Sequence, residues 1–142
     1  MGTQLGLFGP SLNVTSRIKA AIREAIRDSK YSREEIVDKM RSLACIDGLG
    51  GGRGSTISAA SLDAWCSETK SNLIPLNLLP IFCRVVGDMT PLKVLAHPLD
   101  GEIIDSKEAR LLAWAKMEVQ AKTLARKKKK ILSEIEGALD EN

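Results

Sequence analysis

Few side chains in this sequence could carry acid–base or nucleophilic chemistry. The single histidine, His97, has no obvious acid or nucleophile partner, and we expect it at the exposed end of a helix, where a cation is favoured. The three cysteines, Cys45, Cys66 and Cys83, are odd in number, lack a CxxC spacing and stand beside apolar residues. They are therefore expected to be reduced core cysteines of a cytosolic protein. We predict no enzyme, no metal site and no cofactor.

A glycine-rich stretch, CIDGLGGGRGST, is the one segment that could cradle a nucleotide phosphate. In the Walker pattern a first glycine is followed five residues later by a second glycine, then lysine, then serine or threonine. Around Gly54-Ser55 both the lysine and the first glycine are missing. Glycine at this density also disfavours a helix or strand. We therefore predict a flexible loop that carries Arg53.

Cations beside a predicted helix start indicate phosphate binding more strongly than the glycine-rich stretch does. Ser32 followed by Glu35 has the spacing of a capping box, so a helix is predicted to begin at Arg33. The positive end of its dipole, with Lys30 and Arg33 beside it, is chemically suited to a phosphate.

A preceding helix is predicted after Asn13 or Thr15, either of which could cap it. Its apolar positions follow helical periodicity: Ile18, Ile22, Ala25 and Ile26. The rest of its circumference carries four cations: Arg17, Lys19, Arg23 and Arg27. These cations form either a solvated face or a face directed at DNA.

A third helix is predicted from Ser58, with Leu62 and Trp65 in the core and Ser61 outside. Its outer face is small and weakly polar, which permits close approach to a DNA groove but supplies few base-reading side chains. The following segment, LNLLPIFCRVVGD, is the most apolar helix, and Gly87 should end it. Thr90 is expected to cap a last short helix, with Pro91 at its first position.

A long helix is predicted from Asp105 to Glu136, with Glu108 completing another capping box. Its apolar residues follow a heptad seam that requires a partner, and Lys128 interrupts an a position. The basic run Arg126 to Lys130 is either a solvated collar or a second phosphate contact. The oligomerisation residues are Trp114, Met117, Ala121, Leu124, Ile131 and Ile135, with Ala138 continuing the seam.

Length and charge set the outer bounds. The 142 residues suffice for one small core and an appendage. We predict a flexible arm at 1–12, a DNA-binding domain at 13–99 and an oligomerisation helix at 104–139.

A net charge of +3 permits a nucleic-acid partner without requiring one. Without a long apolar run or signal-like N-terminus, the chain is expected to be cytoplasmic, with no membrane partner.

The order of these helices resembles the lambda-repressor-like helix-turn-helix domains of phage and prophage regulators. The similarity lies in SREEIVDKM, SLDAWCSETK and LLPIFCRVVGDMTPLKVLA, and is nearest to phage CII-type proteins and uncharacterised proteins of Mu-like prophages. The resemblance implies an all-α, lambda-repressor-like bundle of about five helices, followed here by the long coiled-coil-like helix. It also implies that Lys30 and Arg33 contact phosphates while four small residues face bases: Thr56, Ser58, Ala59 and Ser61. Arg53 and Lys70, in the flanking loops, complete the predicted DNA-binding set.

A second resemblance lies in the N-terminal arm. The segment Gln4-Leu5-Gly6-Leu7-Phe8 is similar to the QLxLF peptide with which bacterial replication and repair proteins dock on the sliding clamp. An extended segment with an amide and apolar anchors could enter a preformed pocket, or the arm could fold back on its own domain. The candidate clamp-binding residues are Gln4, Leu5, Leu7 and Phe8.

Two functions follow from these patterns. The first is a phage-type transcriptional regulator that binds double-stranded DNA and forms a homo-oligomer, a dimer or higher, through its C-terminal helix. The alternative is a non-enzymatic adaptor for protein interactions that docks on the sliding clamp through Gln4–Phe8.

Overall fold

The computed structural model describes residues 11–50 and 56–140 of the chain. Across these residues all regular structure is helical, so the predicted all-α class is confirmed. The helices are α1 (Thr15–Asp28), α2 (Arg33–Ile46), α3 (Ala59–Cys66), α4 (Leu79–Val86), α5 (Thr90–Ala96) and α6 (Ser106–Asp140), with 3₁₀ turns at Leu76–Leu78 and His97–Leu99. No helix in the described ranges is both long and apolar enough to cross a membrane.

Short-range capping patterns decide where several helices begin. The Ser32 hydroxyl accepts a hydrogen bond from the Glu35 amide at 3.2 Å, as predicted for the start of α2. At the other predicted capping box, the Asp105 carboxylate accepts from the Glu108 amide at 2.7 Å. At α1 neither predicted residue is the N-cap, which is Val14. Thr15 is the first helical residue, and its amide donates to the Asn13 side chain at 3.1 Å.

The predicted cap of α5 is also wrong. Thr90 is the first residue of α5 rather than its cap, and the Asp88 carboxylate accepts from the Thr90 amide at 2.8 Å. The same carboxylate accepts from the Thr90 hydroxyl at 2.6 Å. A carboxylate before a helix start is favoured by the unsatisfied amides there.

The first of two compact units, Met1–Ile103, contains α1 to α5 around one apolar core. Trp65 is buried in it as predicted, and so are Cys66 and Cys83. Cys45 lies on the exposed side of α2, which extends to Ile46, so its predicted core position is wrong. The side chains that are completely buried include Ile22, Ile36, Met40, Leu62 and Phe82.

The second unit, Ile104–Asn142, contains α6. This helix is 35 residues long and none of its residues is buried. Because a helix without buried residues gains little stability from packing, the exposed apolar side chains of α6 need an explanation.

Candidate nucleic-acid interface

The start of α3 is held by three serine and threonine groups that also belong to the predicted base-facing set. The Ser58 hydroxyl accepts from the Ser61 amide at 3.1 Å, which makes Ser58 the N-cap of α3. The Ser61 hydroxyl donates to the carbonyl of Thr56. Because of these hydrogen bonds, the hydroxyls of Ser58 and Ser61 already shape the turn before α3. Both residues are half-buried.

The outer face of α3 is small, as the sequence indicated. Thr56 and Ala59 are exposed, together with Ala60 and Asp63. Asp63 was not among the predicted site residues, and it places a carboxylate on this face. Its charge is balanced because Arg33 of α2 donates to it.

The far end of α3 is fixed by Lys19 of α1, whose predicted position on the outer circumference is wrong. Lys19 is only 2% exposed, and its ammonium donates to the carbonyl of Ala64 at 2.8 Å and to that of Asn72 at 2.6 Å. The last carbonyls of a helix lack intrahelical donors and carry partial negative charge. A buried lysine is compatible with this position because those carbonyls replace the hydrogen bonds it would make to water.

Two arginines also donate hydrogen bonds to backbone carbonyls at the ends of α3. Arg23 donates to the carbonyl of Cys66 at 3.2 Å and pairs with Glu68 at 3.5 Å. Arg41 of α2 donates to the carbonyl of Ile57 at 2.7 Å, just before α3 begins. Cations from α1 and α2 thus fix both ends of α3. Sequence reasoning missed Lys19 and Arg41 because their carbonyl acceptors leave no signal in side-chain types.

A cluster of cations surrounds the start of α2. Arg23, Arg27 and Arg33 line one shallow groove, together with Ser29 and Ser32. The Arg27 side chain is 71% exposed and contacts its neighbour Asp28 at 3.4 Å. The Arg33 side chain is 44% exposed. Lys30 is also exposed, with its ammonium 5.2 Å from the centre of the Tyr31 ring.

The remaining predicted site residues are dispersed or lie outside the described ranges. Lys70 is exposed in the loop after α3, beyond the Glu68 that pairs with Arg23. Arg53 of the glycine-rich loop lies outside the described residues, and so do the four predicted clamp-binding residues of the arm.

The predicted oligomerisation residues all lie on α6, and none is buried. Trp114 is 61% exposed and Met117 is 66% exposed. Leu124, Ile131 and Ile135 are each more than half exposed. The seam therefore forms an exposed apolar surface along the helix, interrupted at Lys128.

Within the described residues, no three His, Cys, Asp or Glu side chains are grouped so that they could hold a metal ion. His97 is exposed, as expected from its position. Burial raises the pKa of the Cys83 thiol to about 11, with the Asp88 charge acting in the same direction and a hydrogen bond from the Leu92 backbone opposing both. That thiol stays protonated near neutral pH, so Cys83 is not an activated nucleophile.

Comparison with protein-family models, with curated proteins and with solved structures finds no match to this chain.

Proposed function

We propose that this protein is a DNA-binding regulator of the phage and prophage type, in which α2 and α3 act as a helix-turn-helix. The main support is the cation cluster at the start of α2, beside an α3 whose two ends are fixed by α1 and α2. Binding elements need a rigid support, because a mobile helix would lose conformational entropy on contact with DNA.

The cation cluster is the proposed phosphate contact. Arg27 and Lys30 are exposed, and Arg33 follows the Ser32 cap at the positive end of the α2 dipole. A phosphate oxygen there could accept from both guanidinium groups and from backbone amides at the helix start. The interaction releases counterions from DNA, so affinity should fall steeply with salt.

The face of α3 is the proposed base contact. Its exposed alanines and Thr56 allow close approach to a groove, and the methyl groups can contact thymine. Asp63 can accept from a cytosine amino group, which gives this face one directional base reader. Since Asp63 also repels phosphates, Arg33 must keep its charge balanced. We therefore assign most of the affinity to phosphates and only modest discrimination to bases.

A mobility-shift assay over a salt series tests this proposal with DNA from the native locus. The slope of log affinity against log salt is about −0.9 per phosphate neutralised, so replacing both Arg27 and Lys30 with alanine should flatten it by roughly two per chain. Lys116→Ala, on the exposed surface of α6, is the matched loss of charge and should leave the slope nearly unchanged.

The variant Asp63→Asn should strengthen DNA binding, in contrast to the loss of Arg27 and Lys30. It removes a negative charge from the proposed DNA face and frees Arg33, so affinity for non-specific duplex should rise several-fold. Absence of binding at every salt concentration would reject the regulator. Capture of the sliding clamp that is lost with Leu7→Ala and Phe8→Ala would then favour the adaptor.

We further propose that the regulator forms a homo-oligomer through α6. The supporting observation is the apolar heptad seam, whose large side chains are all exposed. A symmetric pair would present two DNA-binding units to two half-sites.

A further inference from the structure

Most of the large apolar side chains of α6 form a stripe along one side of the helix. At 3.6 residues per turn, eight of these ten side chains fall within about one half of the helix circumference. The other two, Leu112 and Val119, lie on the opposite half. The eight are Leu111, Trp114, Met117, Leu124, Ile131, Leu132, Ile135 and Leu139. Burying such a stripe against a partner would remove a large apolar area from water.

The charges along α6 are strongly segregated. The five residues Arg126 to Lys130 are all cationic, and no ion pair within the described residues involves them. Successive residues point about 100° apart around a helix, so these cations encircle α6 and Lys128 falls on the seam. The segment 131–140 contains Glu134, Glu136 and Asp140 and has no cation.

This distribution disfavours a parallel, in-register pair of α6 helices. Identical positions would face each other, so the five cations of one copy would meet the five cations of the other. The two Lys128 side chains would also meet at the same a position, where a charged pair is desolvated. Like charges brought to within a few ångströms repel most strongly where water is excluded.

An antiparallel pair with aligned ends removes that conflict. The acidic segment 131–140 of each copy then faces residues 106–115 of the other, which carry Lys107 and Arg110 against one acid, Glu108. The basic run faces residues 116–120, which carry one acid, Glu118, and one cation, Lys116, so it no longer meets a second run of five cations. The centres of the two basic runs lie about 15 Å apart along the axis, beyond the Debye length of about 8 Å at physiological salt.

We infer that the partner of α6 is the α6 helix of a second copy of this chain, paired antiparallel. The inference rests on the proposed oligomerisation and adds its orientation. The complementary segments belong to the same helix, so a second copy supplies both of them at matching positions.

Spin-label distances on the full chain test this orientation. The background variant Cys45→Ser removes the exposed thiol, and Cys66 and Cys83 are buried. One label is attached at Ala109→Cys, near the start of α6, and another sample carries it at Thr123→Cys, near the middle. Light scattering on the same labelled samples gives the number of copies, and the background variant should take up no label.

The antiparallel pair predicts a distance of about 40 Å between the Ala109→Cys labels, from a rise of 1.5 Å per residue. The Thr123→Cys labels should lie within about 25 Å of each other, since paired helix axes are 8–10 Å apart. A stagger of one heptad would change the first distance by only about 10 Å.

The other outcomes overturn specific parts of the proposal. A dimer in which both label pairs are short is parallel, which rejects the orientation but leaves oligomerisation intact. A dimer in which the Thr123→Cys labels are as far apart as the Ala109→Cys labels does not pair through α6. A monomer at every concentration rejects both the orientation and the oligomerisation, while DNA binding by the first unit is measured separately.

Discussion

The ammonium of Lys19 shows how a single residue can position a whole element. It joins α1 to the last turn of α3 and to the loop at Asn72 through two short hydrogen bonds to carbonyl oxygens. The charge is tolerated in the core because both acceptors are polar and fixed. The orientation of the proposed DNA-binding helix therefore depends on a side chain that does not itself face solvent.

Replacing Lys19 with methionine should therefore destabilise the first unit. Methionine keeps the unbranched apolar stem but removes the donor. The buried bond to the Ala64 carbonyl and the part-buried bond to the Asn72 carbonyl are then lost, at a cost of about 1–3 kcal/mol. Urea denaturation measures the loss of unfolding free energy. The matched variant Arg27→Met removes an exposed cation and should change stability by less than about 0.5 kcal/mol. Equal stability of the two variants would show that the Lys19 hydrogen bonds contribute nothing.

The three cysteines should differ sharply in reactivity. At pH 8 an alkylating reagent should modify only Cys45, which is exposed, whereas Cys66 and Cys83 are buried. Because burial raises the pKa of Cys83 from 9.0 to about 11, little thiolate forms there even at pH 9. Intact-mass measurement should show one adduct in native protein and three in guanidinium. Rapid native modification of Cys83 would contradict its environment in the core.

The same pKa shift affects stability at high pH. Above about pH 9 the unfolded chain loses the Cys83 proton while the folded chain retains it, so the unfolded state binds fewer protons. The contribution to unfolding free energy is therefore complete below pH 9 and declines as pH rises towards 11. Cys83→Ala should show a smaller decline over this interval than the original chain.

At the scale of elements, α4 ends where Gly87 adopts a left-handed conformation with φ of 70°. Its amide donates to the Cys83 carbonyl at 2.9 Å, and the Asp88 amide donates to the same oxygen at 3.3 Å. A residue with a Cβ is strained in this conformation even though no neighbouring atom would collide with it.

Two alanine substitutions of glycine should therefore have opposite effects. Gly87→Ala should destabilise the first unit by about 1 kcal/mol, because the side chain disfavours the left-handed region. Gly137→Ala, within α6 and with open space around it, should instead increase helicity, since glycine costs about 0.5–1 kcal/mol inside a helix. Denaturation and circular dichroism measure the two effects. Stabilisation by Gly87→Ala would show that the helix does not end in this way.

Local patterns predicted the elements better than the contacts between them. The Ser32 cap, the burial of Trp65 and the long α6 follow from spacing and apolar periodicity, which act within a few turns of one helix. The burial of Lys19 could not be predicted in this way, because its acceptors are main-chain carbonyls far along the sequence. Asp63 was missed for a related reason: its pairing with Arg33 depends on how α2 and α3 pack.

For the whole molecule, the two units divide the proposed tasks. The first unit holds the cation cluster and α3, and the second supplies a surface for a partner. If two copies bind one DNA molecule, the second contact is effectively intramolecular, and total affinity greatly exceeds that of one unit. Oligomerisation should therefore control DNA affinity even though α6 is outside the proposed helix-turn-helix.

Breaking the seam should separate these tasks. The double variant Met117→Glu with Leu124→Glu places two charges on the apolar stripe, whereas Leu112→Glu with Val119→Glu places the same charges on the opposite side of α6. Light scattering should show monomers for the first variant and an unchanged mass for the second. In the mobility-shift assay the seam variant should bind at least about tenfold more weakly, because the linked second contact is lost. Its salt dependence should also be roughly halved, since each complex then neutralises the phosphates of one chain instead of two. A monomeric seam variant with unaltered affinity would mean that one chain suffices for DNA binding, and that α6 pairs for another purpose.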